Sequence, residues 1–129
     1  MHLKDGYIKS SSNTKHYCQF LRLNPDTLEQ YKYWHDSRNI WKEIPQGIRK
    51  AGISDMEIFV RDDYAVMILE VPVSFDFEQA FGELASYDRQ AEWEAFVGKF
   101  QCAENGKRSD EKWQLMERIF SLEESLKFT

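Results

Sequence analysis

The stretch DMEIFVRDDYAVMILEVP, from Asp55 to Pro72, decides the fold that we predict for this chain. It contains two runs rich in β-branched and aromatic residues, separated by the acidic pair Asp62–Asp63. In the first run, Met56, Ile58 and Val60 alternate with residues that would face the opposite side of a strand. Two such runs on either side of a short polar break are typical of a β-hairpin. The stretch therefore predicts two adjacent antiparallel strands.

The segments before the hairpin predict one strand and two helices. The run HYCQFLRL, residues 16–23, has strand length and ends at an Asn-Pro-Asp break. Residues 26–35 begin with a capping aspartate and carry apolar or aromatic residues at steps of three and four, which predicts a helix. A second helix is predicted over residues 40–52, where Pro45 and Gly47 should keep it short or irregular.

The segments after the hairpin predict two more helices and a last strand. Helical periodicity covers residues 74–86 and 88–100, a polar loop follows, and the alternating run from Trp113 to Phe120 predicts a fourth strand. The resulting order, β-α-β-β-α-β, is that of a ferredoxin-like α+β domain with a four-stranded antiparallel sheet. We therefore expect the helices to cover one face of the sheet.

The composition indicates one globular domain preceded by a tail. The chain has 129 residues, of which 42% are hydrophobic and 15% aromatic, enough for one domain with a sizeable core. We assign residues 15–129 to that domain. Residues 1–14 are polar and rich in Ser, Asn and Lys, so we expect a loosely ordered, flexible tail there.

Charge and hydropathy argue against several classes of partner. The formal net charge is −5 and the basic residues are scattered, so we expect no nucleic-acid partner. No apolar run approaches the length of a membrane span, and the N-terminal segment lacks the apolar centre of a signal peptide, which predicts a cytoplasmic protein without a membrane partner. Cys18 and Cys102 show no paired spacing, which predicts free thiols rather than a metal site.

The predicted fourth strand is apolar on both faces. Trp113, Leu115 and Ile119 would point to one side of the sheet. Met116 and Phe120 would point to the other side. Because neither face is cleanly polar, we expect a homodimer in which two sheets pack face to face.

The stretch YKYWHDSRNIW, from Tyr31 to Trp41, places four aromatic rings around His35 in a mostly polar run. Tyr31 lies four residues before His35, so both side chains project from one face of the predicted helix. An aromatic ring stacks on the apolar C–H face of a pyranose, while histidine exchanges protons with the sugar hydroxyl groups. The pattern favours a sugar site, and the alternative is a histidine that is structural or merely exposed.

Three stretches of the sequence are distinctive when taken together: LNPDTLEQYKYWHDSRNIWKEI at 23–44, AGISDMEIF at 51–59 and KWQLMERIF at 112–120. They resemble the L-rhamnose mutarotase family, and within it the branch proposed to act on L-fucose. The resemblance spans about residues 17–120. It implies a dimeric α+β barrel of ferredoxin-like subunits, a monosaccharide substrate and no cofactor.

The resemblance also implies the roles of individual residues. His35 corresponds to the catalytic histidine of the family and Tyr31 to a tyrosine that contacts the substrate. Trp93 corresponds to a tryptophan that offers a stacking face. Met56 stands on the second predicted strand at a substrate-binding position. Trp41 is a further candidate for the pocket, with the alternative that it belongs to the core.

Two departures from the rhamnose-type pattern bear on the substrate. Met56 stands where those members carry a tyrosine, and Glu92–Trp93 stands where they carry two adjacent tryptophans. Both changes remove an aromatic group from the expected pocket and leave His35 in place. We therefore expect L-fucose to be preferred over L-rhamnose.

Mutarotases interconvert the α and β anomers of a sugar by opening and closing its ring, which requires only proton transfers. We expect His35 to exchange a proton with the ring oxygen or the anomeric hydroxyl group as a general acid or base. The second proton-transfer group is not identified by the sequence. Glu57 and Glu92 are candidates by their chemistry, and the alternative is that both are solvated surface carboxylates.

Two alternative functions fit the same sequence. A cofactor-free oxygenase of the dimeric α+β barrel type would use the same architecture and an aromatic, histidine-bearing pocket, because a fold does not decide a function. A module that binds a small ligand without turnover would also use such a pocket. Oxygen consumption would indicate the oxygenase, and affinity without turnover would indicate the binding module.

Overall fold

The described residues, 3–103 and 107–129, form five strands and six α-helices in this computed structural model. The strands are β1 (Tyr7–Lys9), β2 (Thr14–Arg22), β3 (Asp55–Arg61), β4 (Tyr64–Pro72) and β5 (Gln114–Leu115). The helices are α1 (Leu28–His35), α2 (Glu43–Lys50), α3 (Phe77–Leu84), α4 (Gln90–Gly98), α5 (Ser109–Lys112) and α6 (Leu122–Leu126). Within these ranges, no helix is long and apolar enough to span a bilayer.

The predicted hairpin forms two of the five strands of the sheet. β3 and β4 are antiparallel, with Asp55 opposite Glu70 and Arg61 opposite Tyr64. β4 pairs along its whole length with β2, which places the strands in the order β1-β2-β4-β3. β5 pairs with β2 beside β1. With β5 in place of β1, the order β5-β2-β4-β3 is that of a ferredoxin-like sheet. The predicted α+β fold is therefore confirmed.

Alternating burial separates the two faces of the sheet. Every second residue of β2 and β4 is buried, including Tyr17, Leu21 and Leu69. These side chains form one core with buried residues of the helices, such as Ile44 of α2 and Phe81 of α3. The helices therefore cover one face, and the residues between the buried ones are left on the other face.

The N-terminal segment differs from the expected flexible tail. Gly6 is buried, and β1 pairs with β2 so that Tyr7 lies opposite His16. The Tyr17 hydroxyl group donates a hydrogen bond of 2.6 Å to the Lys4 carbonyl. Residues 3–9 are thus attached to the rest of the domain, and residues 1 and 2 of the predicted tail lie outside the described residues. A three-residue strand is too short for its alternation to be recognised in a polar sequence.

The last predicted strand is shorter than expected. Only Gln114–Leu115 pairs as a strand, and Ile119 and Phe120 are exposed. Continuing the register of β5 along β2 would bring the residues after Met116 to the edge of β2 that β1 already occupies. Arg118 instead donates to the carbonyl of Ile8, a residue of β1. The first strand of the chain therefore prevents the last one from extending.

We predict opposite effects of alanine at two glycines. Gly6 has φ +74°, and a Cβ there would lie 2.9 Å from Tyr17 Cζ, so Gly6→Ala should lower the free energy of unfolding by at least about 1 kcal/mol. Gly82 lies inside α3, and a Cβ there would meet no packing neighbour among the described residues within 4 Å. Gly82→Ala should therefore raise the free energy of unfolding by about 0.5–1 kcal/mol. Urea denaturation measures both. An unchanged Gly6→Ala protein would show that the N-terminal turn adds no stability.

Candidate active site

A cavity of about 420 Å³ lies between the helices and the covered face of the sheet. Its size falls within the range of about 300–1,000 Å³ that is usual for small-molecule sites. Met56 and Ile58 of β3 and Met67 of β4 contribute apolar side chains from the sheet. Residues of β2, of helices α1 to α5 and of the connecting segments contribute the remaining walls.

Helix α1 carries the predicted pair Tyr31 and His35 into this cavity. Their rings stack with centroids 4.1 Å apart and an angle of 30° between the planes. The Nδ1 atom of His35 lies 2.8 Å from the backbone carbonyl oxygen of Tyr31. Because a carbonyl oxygen only accepts hydrogen bonds, Nδ1 carries the hydrogen of the neutral ring. The lone pair of the neutral imidazole is therefore on Nε2, on the other side of the ring.

The environment of His35 favours its neutral form. Burial lowers the pKa of His35 below its ordinary value, and the hydrogen bond to the Tyr31 carbonyl opposes this effect. The neutral form therefore persists to a lower pH than in an exposed histidine. A neutral imidazole with a free Nε2 lone pair can act as a general base.

Trp93 of α4 forms the wall beside His35, and Trp41 lies behind that wall. The ring centroids of His35 and Trp93 are 5.3 Å apart. Trp41 meets Trp93 edge to face at 5.2 Å and stacks on Phe96 at 5.4 Å. Arg89 covers its ring, with the guanidinium carbon 4.0 Å from the centroid. Trp41 is not among the described residues that line the cavity, so its predicted contact with substrate is not seen in this arrangement.

Three buried oxygen atoms of the lining have no hydrogen-bond partner among the described residues. They are Tyr31 Oη, Gln19 Oε1 and Gln101 Oε1. Burial raises the pKa of the Tyr31 hydroxyl above its ordinary value, and the Gln101 side chain, which lies near this hydroxyl but outside hydrogen-bond geometry, opposes the rise. An unpaired buried polar group costs about 1–3 kcal/mol, so these oxygens favour a polar ligand or water. Sequence reasoning missed both glutamines, although Gln19 stands at an inward-facing position of an alternating strand.

The structure places the other sequence candidates in different surroundings. Met56 is half-buried and lines the cavity. Glu57 is exposed on β3, and Glu92 is exposed with its carboxylate 3.9 Å from Arg89. Neither glutamate is part of the described cavity lining. Both therefore fit the alternative of solvated carboxylates.

Sequence reasoning also missed two charged residues that line the cavity. Glu94 and Lys112 are 8% and 7% exposed, although charged residues are seldom so deeply buried. Lys112 Nζ donates to the backbone carbonyl of Glu94 at 2.8 Å, and the Glu94 carboxylate accepts a hydrogen bond from the Ser109 N–H group. In the sequence, the available signal for Glu94 was its position directly after Trp93, which faces the cavity. Lys112 lies after the polar loop, where no local pattern indicates burial.

Comparison with known proteins identifies the family. Residues 16–122 match the profile of the L-rhamnose mutarotase family. An L-fucose mutarotase from Xanthomonas campestris pv. campestris is 34% identical over 111 residues, which cover 84% of this chain and 89% of that protein. An L-rhamnose mutarotase from Burkholderia orbicola is 31% identical over 105 residues, which cover 80% of this chain and 93% of that protein.

Two solved structures have a similar fold. The L-rhamnose mutarotase FA22100 from Formosa agariphila gives a TM-score of 0.62 at 19% sequence identity, with 84% of this chain and 98% of that chain covered. Tetracenomycin F2 cyclase from Streptomyces glaucescens gives a TM-score of 0.55 at 17% identity, with 82% and 94% covered. The profile match spans most of the sequence and the curated relatives align along nearly their full length. This chain therefore belongs to the L-rhamnose mutarotase family, whose members are isomerases.

Proposed function

We propose that this protein interconverts the α and β anomers of a 6-deoxy hexose, L-fucose in preference to L-rhamnose. The observation that carries the proposal is the tautomer and protonation state of His35. A neutral imidazole whose Nδ1 is held by the Tyr31 carbonyl presents Nε2 as a base beside an aromatic wall. A cyclic hemiacetal needs such a base, because its ring opens when the anomeric hydroxyl group loses its proton.

In this proposal, His35 is the catalytic base. Its Nε2 takes the proton of the anomeric hydroxyl group as the bond between C1 and the ring oxygen breaks. The aldehyde then rotates, and the reverse transfers close the ring on either face. General acid–base catalysis of this kind contributes roughly 10²–10⁴-fold to a rate. The reaction has no net oxidation, hydrolysis or group transfer.

The lining supports binding of a sugar. The Trp93 ring offers a flat apolar surface on which the C–H face of a pyranose can stack. Tyr31, Gln19 and Gln101 supply unpaired buried oxygens for the hydroxyl groups. We give Trp41 a supporting role, since it packs against Trp93 and Phe96 and so fixes the orientation of the stacking surface.

The preference for L-fucose rests on one position of the lining. Met56 lines the cavity, and it stands where rhamnose-type members carry a tyrosine. Its thioether replaces a phenol hydroxyl group, so it cannot donate a hydrogen bond to the sugar. Glu92 lies outside the described cavity lining, so this departure from the rhamnose-type pattern does not support the preference for L-fucose. The similarity to an L-fucose mutarotase points in the same direction.

We also propose a homodimer and a cytoplasmic location. Exposed apolar side chains occur on the uncovered face of the sheet, where Phe59 is 54% exposed, and in the C-terminal segment, where Ile119 is 92% and Phe120 67% exposed. Apolar surface of this extent favours association with a second copy. Cys18 and Cys102 are free thiols, which suits the reducing conditions of the cytoplasm.

We predict that His35→Asn abolishes the acceleration of anomer exchange and leaves the circular dichroism spectrum unchanged. His16→Asn is the matched control, because His16 lies beside Glu70 on the sheet and outside the described cavity lining. NMR saturation transfer between the anomeric proton signals of L-fucose measures the exchange. The wild-type rate should fall as pH decreases through the lowered pKa of His35, since protonation removes the base. A His35→Asn protein that keeps most of its rate would remove His35 from the mechanism.

We predict faster anomer exchange of L-fucose than of L-rhamnose. The two sugars share the methyl group and differ in which ring hydroxyl groups are axial, so a donor at position 56 affects only hydroxyl recognition. Met56→Tyr should shift the ratio of the two rates towards L-rhamnose. Saturation transfer on each sugar at equal concentration gives the ratio. Equal rates, or faster exchange of L-rhamnose by the wild type, would contradict the proposed preference.

We predict that the protein in solution has twice the 15.4 kDa mass of one chain. Phe120→Asp should shift the equilibrium towards the monomer, because a buried carboxylate at an apolar interface is unfavourable. Tyr33→Asp is the control, since Tyr33 is 55% exposed on helix α1. Light scattering at micromolar concentration distinguishes the two states. A single-chain mass for the wild type would refute the dimer.

A further inference from the structure

We infer that Lys112 is the acid that protonates the ring oxygen, and that Glu94 keeps its ammonium group charged and in place. This inference rests on the proposed mutarotase function and supplies the second proton-transfer group that such a reaction needs. His35 alone begins as a base, so it has no proton to give to the ring oxygen when the ring first opens.

Lys112 has the burial and the free donors that this role requires. It is 7% exposed and lines the same cavity as His35. Its single hydrogen bond among the described residues goes from Nζ to the Glu94 carbonyl at 2.8 Å. An ammonium group has three donors, so two of them are without a described protein acceptor. A buried ammonium with unused donors favours a ligand that accepts hydrogen bonds.

Helix α4 contacts both the proposed acid and the proposed base. The ring of Trp93 contacts the ring of His35 at a centroid distance of 5.3 Å. The next residue, Glu94, holds Lys112 through its backbone carbonyl. The two proposed proton-transfer groups, His35 and Lys112, therefore contact consecutive residues of α4. Both of these residues, Trp93 and Glu94, line the cavity.

The other charged and titratable groups of the described lining fit the acid role less well. They are Tyr31 and His35 from α1, Arg49 from α2, Asp55 from β3 and Glu94 from α4. Burial raises the pKa of Tyr31, so its hydroxyl group holds its proton tightly. Arg49 does not release a proton in proteins. The Glu94 carboxylate accepts the Ser109 N–H group, and Asp55 is exposed.

Two opposing effects set the acidity of Lys112. Burial lowers the pKa of its ammonium group below the ordinary value of lysine, and the charge of Glu94 opposes this by favouring the charged form. Burial also lowers the pKa of His35. Between the two pKa values, Lys112 is protonated and His35 is neutral. The rate should therefore rise with pH through the pKa of His35 and fall again through that of Lys112.

The proton transfers balance without any other reactant. The anomeric O–H proton passes to His35 Nε2, the C1–O bond to the ring oxygen breaks, and its electron pair stays on that oxygen. The ring oxygen takes a proton from the Lys112 ammonium group, which leaves an open-chain aldehyde, an imidazolium and a neutral amine. After the aldehyde turns about the C1–C2 bond, the amine takes the hydroxyl proton back and the imidazolium returns its proton to the carbonyl oxygen.

We test the inference with Lys112→Met, which keeps an unbranched chain and removes the proton. The variant should lose about 100-fold or more of the accelerated exchange, and the alkaline fall of the remaining rate should disappear. Lys42→Met is the matched control, because Lys42 is exposed and outside the described lining. Saturation transfer on L-fucose between about pH 5 and pH 10, corrected for the exchange without protein, gives the profiles.

Glu94→Gln provides a second test that does not depend on the folding of Lys112→Met. The amide oxygen can still accept the Ser109 N–H group, but the charge that favours the ammonium is lost. The alkaline fall should therefore move to lower pH, which a purely structural role of Glu94 would not produce. A wild type without accelerated exchange would overturn the proposed function and this inference with it. An active wild type whose alkaline fall is unmoved by Glu94→Gln, or whose rate survives Lys112→Met, would overturn the role of Lys112 alone.

Discussion

The hydrogen bond between His35 Nδ1 and the Tyr31 carbonyl is the interaction on which the candidate site depends. It joins two residues one helical turn apart, so it needs no contact from elsewhere in the chain. It fixes the tautomer of the imidazole and the direction of its free nitrogen. The stacking of the two rings at 4.1 Å holds the same orientation from the side. A short segment of eight helical residues therefore contains the proposed base and its support.

The cavity around this helix is costly for the folded protein without ligand. The unpaired buried oxygens and the two buried charged residues, Glu94 and Lys112, both lower the stability of the empty state, since water can no longer solvate them. The core of the domain must offset this cost, and the aromatic cluster of Trp41, Trp93 and Phe96 is one part of it. A ligand with several hydroxyl groups would recover a share of the lost hydrogen bonds. Binding and stability are therefore linked in this site.

Local patterns predicted those parts of the structure that depend on nearby residues. The hairpin and β2 were predictable, because burial of one sheet face imposes alternation on each strand. The spacing of Tyr31 and His35 likewise placed both on one helix face. The extent of the last strand was not predictable, because it depends on β1, which lies at the other end of the sequence. The contact of Lys112 with the Glu94 carbonyl is hidden for the same reason, since the two residues are 18 positions apart in the sequence.

The placement of β1 has a consequence for how the protein avoids aggregation. The edge of β2 is covered by two very short strands, β1 and β5, which leave little open backbone for another chain to join. The opposite edge, β3, carries the charged and exposed residues Asp55, Glu57 and Arg61. Short or charged edges disfavour the addition of further strands, which is the route to fibrils. The proposed homodimer, which forms through sheet faces, would therefore stop at two copies rather than grow along the sheet.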